Sequence, residues 1–148
     1  MKLLKFNGEM IDAILAGRKT QTRRPIKPQP KVTEQELRQL GAWDNDYTLS
    51  QQVNAAWQAG LIDVPCPYGD IGHLVKFYDQ NSTSIGEIYL CNIRVEQLQD
   101  ISEKDSIAEG ASARAAFANL WISIYGENSW ESNPWVWVIE FRRINNEK

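Results

Sequence analysis

The chain has 148 residues, 43% of them apolar and 24% charged, which fits one globular domain with room for a real core. A net charge of −3 gives no global positive field for nucleic acid, so any such contact must come from a local basic patch. Two cysteines, Cys66 and Cys91, form no CxxC pair, and the single histidine, His73, excludes a histidine-rich metal centre; carboxylates alone show no metal motif.

In chain order, residues 2–6 read as a short strand with Leu4 and Phe6 on one face. "NGEMIDAILAG" reads as a helix capped by Asn7, with Met10, Ile11, Ile14 and Leu15 as its stripe and Gly17 as its left-handed stop. "RKTQTRR" follows as a strand rich in threonine and cations. Prolines 25, 28 and 30 end it and favour an extended, exposed connection. "VTEQELRQLG" predicts a helix boxed by Thr33 and Glu36, whereas "YTLSQQVNAAWQAG" fits either a helix or an irregular excursion. The stretch 25–71 reads as elaboration on the core of a single domain spanning 1–148.

Two glycine turns in "CPYGDIGHLVKFYD" lead into a strand at about 73–79. "EIYLCNIRVEQLQ" alternates, placing Tyr89, Cys91, Ile93 and Val95 on one face and Asn92, Arg94 and Glu96 on the other. "ISEKDSIAEG" predicts a short helix capped by Ser102 and stopped at Gly110. "ARAAFANLWISIYG" predicts a stronger one, with Phe117, Leu120, Trp121 and Ile124 on one face and Gly126 as its stop. The closing strand "NPWVWVIEFRRI" is apolar on both faces and so belongs inside a sheet. The tail "RRINNEK" is expected to fray. This order of elements predicts an α+β chain built on a small curved sheet or barrel. With no signal peptide and no apolar run of membrane-spanning length, a cytoplasmic location with reduced cysteines is expected.

"ILAGRKTQTRR", the later "ISEKDSIAEG", a helix ending "IYG" and "WVWVIEFRRI" together resemble the ASCH domain. The resemblance covers about 1–24 and 66–144. Within that family the pattern is similar to the small bacterial N4-acetylcytidine amidohydrolases, and to the larger phage and prophage proteins that carry the "CPYG" turn seen at 66–69. It implies a PUA-like small β-barrel with flanking helices and an association with RNA. It also implies a catalytic set of Lys19, Thr22 and Glu109, with Arg24, Arg23 and Thr20 binding substrate and no metal or organic cofactor. His73 stands where the family usually has an acid.

The chemistry this implies is amide hydrolysis, with Thr22 as nucleophile, Lys19 as base and Glu109 as proton shuttle. A base lysine must fall from about 10.4 towards 7–8, roughly 4 kcal/mol of differential stabilisation. Burial and Arg18, Arg23 or Arg24 push that way, while Glu109 and the preceding helix terminus push against it. In a regular strand residues 19 and 22 face opposite sides, so they converge only if Lys19 lies in the turn after Gly17 or a bulge intervenes. Two rival functions fit the same cluster: ribonuclease action, with Arg23 and Arg24 on phosphate, and a non-catalytic RNA-binding or phage accessory module. Taken residue by residue, "RKTQTRR" is also an ordinary solvated strand, the tryptophans are core, and both cysteines are buried small hydrophobes.

Overall fold

The computed structural model describes residues 2–144. The strands are β1 (Leu4–Lys5), β2 (Gln21–Pro25), β3 (Leu74–Tyr78), β4 (Ser84–Gln97) and β5 (Trp135–Arg143). The helices are α1 (Gly8–Leu15), α2 (Glu34–Gln39), α3 (Leu49–Gln58), α4 (Glu103–Ala108) and α5 (Arg114–Tyr125). The sheet order is β1-β3-β4-β5-β2, with β1 parallel to β3 and the other neighbours antiparallel. The sheet curls into a half-barrel with helices around it, so the expected α+β barrel takes an open form. Its edge strands, β1 and β2, share no ladder. The Arg24 side chain spans them, its Nη2 donating to the Lys5 carbonyl at 2.9 Å.

β5 lies inside the sheet, between β4 and β2, and builds a core on each face. Trp135, Trp137, Ile139 and Phe141 point into the concave side, where they meet Leu4, Phe6, Ile14, Phe77 and Ile93. Val136 and Val138 point the other way, onto Leu98, Ile101, Phe117 and Trp121. A strand with covered faces on both sides needs apolar residues at every position, as this segment has. The helix starts follow the side-chain caps: the oxygens of Asn7, Thr33, Thr48 and Ser102 accept from the backbone N–H three residues on.

Several expectations need correction. The alternation read for β4 breaks at Cys91, where the β4–β5 register shifts between Leu90 and Asn92. This bulge puts Ile88 and Leu90 inside and leaves Cys91 exposed rather than buried; Cys66 is half-buried. The proline segment is not wholly exposed, because Ile26 is 2% accessible and belongs to the core. Leu15 and Ile124 are exposed, so the α1 and α5 stripes are narrower than their periodicity implies. Of the tail expected to fray, Arg142 and Arg143 are part of β5 and Ile144 N donates to the Glu87 carbonyl at 3.0 Å; residues 145–148 lie outside the described residues.

The segment 25–71 contributes structure as well as length. β3 pairs with β4 only as far as Tyr89, which leaves the following half of β4 without a strand on that side. Helix α3 lies there instead. Asn54 Oδ1 accepts from Val95 N at 2.9 Å, Ser50 Oγ accepts from Gln97 N at 2.9 Å, and Gln58 Nε2 donates to the Ile93 carbonyl at 3.3 Å. Three side chains of one helix thus serve the backbone groups a sixth strand would have bonded. Val53 is buried in the concave core, and the Trp57 ring meets Trp137 edge-on at 5.2 Å.

Candidate functional site

Gly17, at φ +79°, ends α1 in the left-handed region. Arg18 N and Lys19 N then both turn back to the Ala13 carbonyl. Lys19 therefore sits in a turn ahead of β2, one of the two arrangements that release it from strand alternation. Its side chain runs inward, 2% exposed, beneath Gly110. Gly110 has φ +99°, a conformation that L side chains rarely adopt, and it packs against the Lys19 stem at ordinary contact distance.

The Lys19 amine has three acceptors: the Gln21 carbonyl at 2.7 Å, the Glu109 carbonyl at 2.9 Å and Glu109 Oε1 at 2.9 Å. Gln21 belongs to an edge strand, and its neighbour Thr20 takes the ladder bond from Phe141 N, so the Gln21 carbonyl faces away from β5. Glu109 is the C-cap of α4. An acid there opposes the helix dipole, and Lys19 compensates by serving both the end carbonyl and the side chain of the same residue. Burial lowers the Lys19 pKa from its ordinary 10.5, Glu109 pulls it back up, and Arg24 and Arg23 add to the lowering. Three acceptors around one amine match the three donors of an ammonium and leave no place for a lone pair.

The side chains of β2 divide by alternation. Gln21 and Arg23 face α4. Arg23 is 3% exposed; its Nη1 donates to Gln21 Oε1 (2.8 Å) and Glu109 Oε2 (3.2 Å), its Nη2 to Glu96 Oε2 (3.0 Å) and Asp105 Oδ2 (3.3 Å). Arg94 extends the network to Glu96, Asp105 and Glu140. Thr22 and Arg24 face the concave side, where Arg24 Nε donates to Thr22 Oγ1 at 3.2 Å. The Arg24 guanidinium lies 4.9 Å from the centre of the Phe6 ring and 6.0 Å from that of Tyr68.

Thr22, Arg23, Arg24 and Glu109 line one small cleft that opens to solvent. Helix α5 adds Phe117, Trp121 and Tyr125 to the same lining, the last two with ring centres 4.2 Å apart; Phe117 and Trp121 are largely buried, and Tyr125 is the exposed one. Burial pushes the Tyr125 and Tyr68 phenols above their ordinary value and Arg24 opposes this, so both carry their proton at neutral pH. The Trp121 indole N–H is buried without a partner. The cleft thus brings charged and hydroxyl groups together with aromatic side chains. It suits a flat polar ring that can both stack and hydrogen-bond.

The structure brings Lys19, Thr22, Arg23, Arg24 and Glu109 together and leaves Thr20 out. Thr20 is exposed, its N–H bonded to the Ala108 carbonyl, and it does not line the cleft. Among the described residues the Lys19 amine makes no hydrogen bond to the Thr22 hydroxyl; it reaches the cleft through Glu109. Arg23 spends both terminal nitrogens on Gln21 and three carboxylates. His73 is exposed in the turn before β3, away from the cleft. Phe117 and Trp121 are core, as their periodicity implies, and their edges also reach the cleft, which the sequence does not show. The nearest signal was the excess of apolar side chains on α5, which runs on through Leu120, Ile124 and Tyr125 into the cleft. Among the described residues no helix is long and apolar enough to cross a membrane, and no group of three or more His, Cys, Asp or Glu side chains is placed to hold a metal.

No family model and no curated protein matches the sequence. Among solved structures the chain is similar to an ASCH domain from Lactobacillus crispatus JV V101, at 13% identity and a TM-score of 0.54, covering 90% of this chain and 69% of that one. It is similar also to a protein of the DUF984 family from Enterococcus faecalis V583, at 11% identity and a TM-score of 0.54, covering 97% of this chain and 76% of that one. At these identities the likeness shows the fold alone: the chain shares the architecture of that ASCH domain, a curled mixed sheet with helices around it.

Proposed function

We propose that the cleft binds a nucleobase, as a free modified nucleoside or as a nucleotide of RNA, and hydrolyses the N4-acyl amide of an acetylated cytidine. The observation that carries this reading is that Thr22, Arg24 and Glu109 line the same cleft as Trp121 and Tyr125. A pyrimidine stacked on the aromatic rings would present its exocyclic edge to a hydroxyl, a guanidinium and a carboxylate.

In this mechanism Thr22 Oγ attacks the acyl carbon. Arg24, already donating to that oxygen, leaves its hydroxyl proton free to depart. Glu109 takes that proton and returns it to the N4 nitrogen as the amine leaves. Water, giving a proton to Glu109, then attacks the acyl-threonine carbonyl, and Glu109 passes that proton to Thr22 Oγ as the carboxylic acid departs. Lys19 acts as a buried cation behind Glu109, holding its carboxylate and the end of α4 in place. Arg24, near the mouth with Lys5, gives a local positive point for a phosphate in a chain that is negative overall.

The test is release of cytidine from N4-acetylcytidine by the native chain and by Thr22→Ala and Glu109→Gln. Turnover lost in both variants supports the reading. Absence of turnover in the native chain, with degradation of labelled RNA, moves the assignment to a ribonuclease. Salt-sensitive RNA binding alone moves it to a non-catalytic module.

A further inference from the structure

Arg23 is the one charged residue of the cleft lining whose side chain is wholly enclosed. It lies between two groups of acids. On the cleft side is Glu109, held at Oε2 by Arg23 Nη1 and at Oε1 by Lys19. Behind it are Glu96 and Asp105, both held by Nη2 and both shared with Arg94, which also binds Glu140. Gln21 closes the ring, accepting from Arg23 Nη1 and donating to Asp105 Oδ1 and Glu140 Oε2. Strands β2, β4 and β5 and helix α4 are all represented.

We propose that Arg23 is a positioning residue for Glu109: with Lys19 on the other oxygen, it fixes the plane of that carboxylate and ties it to the rigid sheet. Two cations gripping separate oxygens leave the carboxylate no free rotation, and the remaining lone pairs stay aimed at the cleft. The planar guanidinium is needed because one terminal nitrogen must serve Glu109 while the other serves Glu96 and Asp105. An ammonium is a point charge and cannot hold both sets at once. The inference rests on Glu109 being the proton-carrying group of the cleft.

The experiment reads Arg23→Gln and Arg23→Lys in two independent ways. The first is the titration of the Lys19 amine, followed by ¹⁵N NMR of its Nζ. Lys19 faces Glu109 from α4 and Arg23 and Arg24 from β2. With Arg23 uncharged, the Lys19 midpoint rises, because one repelling cation is gone and Glu109 is left to Lys19 alone. The second is turnover of N4-acetylcytidine, where kcat falls roughly tenfold to a hundredfold with KM changed less than threefold, as expected when a catalytic group is misplaced by about an ångström. Arg23→Lys recovers part of kcat.

A folded Arg23→Gln chain with an unmoved Lys19 midpoint overturns the proposal, as does a kcat equal to that of the native chain. If no substrate is turned over, the proposed activity fails while the amine titration still decides the positioning role. If Arg23→Gln does not fold, Glu109→Gln is used and the Arg23 guanidinium ¹⁵N–¹H signals are followed. Movement of the Nη1 signals with Nη2 unchanged supports the proposal, and no movement overturns it.

Discussion

Replacing Lys19 by methionine isolates the buried ion pair. Methionine keeps most of the aliphatic stem and removes only the ammonium. The change strands the Gln21 and Glu109 carbonyls and takes one of two cations from the Glu109 carboxylate. Removing one partner of a buried pair costs about 3–5 kcal/mol, because the other charge stays buried. Here Arg23 still holds the second oxygen, which places the cost near the lower end, about 3 kcal/mol. For a chain of this size that is a fall in Tm of roughly 6–12 °C. Urea denaturation and thermal melting of both proteins give the number. A competing argument has the desolvation of a fully buried lysine outweighing its attraction to Glu109, so that the variant is as stable as the native chain or more so. A loss below about 1 kcal/mol would support that argument and refute the one made here.

The same variant carries a pH signature. The Lys19 pKa is lowered in the fold, so below 10.5 there is a window in which the unfolded chain holds a proton that the folded chain does not. Stability therefore rises with pH across that window in the native chain, and because Lys19→Met lacks the titrating amine, the margin of the native chain over the variant grows by that contribution as pH approaches 10.5. A margin that shrinks with pH, in parallel urea titrations, contradicts the lowered value. On the cleft, Thr22→Ala is expected to abolish turnover while exposed Thr20→Ala leaves it within twofold; equal effects would dissolve the distinction between the two threonines. Asn54→Ala orphans the Val95 N–H and should cost about 1–3 kcal/mol in the same urea assay. A thiol reagent should modify exposed Cys91 well before Cys66, whose thiol is pushed up by burial; the reverse order would place the bulge elsewhere.

The features legible in the sequence are those that act locally. Asn7, Thr33 and Ser102 mark helix starts because each needs only a backbone N–H three residues away. Gly17, Gly110 and Gly126 mark helix ends because positive φ excludes most other residues. β5 is readable because two apolar faces admit one kind of position in a sheet. What escaped depended on distant partners. The bulge at Cys91 is set by the pairing with β5 and leaves no composition signal. Helix α3 reads poorly because its working side chains are Ser50, Asn54 and Gln58, polar residues that look solvated until a strand edge lies beside them. Arg23 and Arg24 are adjacent and alike in sequence, yet one faces three carboxylates and the other the concave side. Alternation predicts that they part; only the packing of α4 shows which is enclosed.

A half-barrel leaves part of its longest strand open to whatever extended chain diffuses past, and such an opening is a template for unwanted association. In this molecule the opening is filled by an amide, a hydroxyl and a second amide from α3. The stretch that reads as an optional insertion therefore works as a guard rail: deleting it would leave a bare, hydrogen-bond-hungry border along β4, and the shortened chain would be expected to pair with copies of itself.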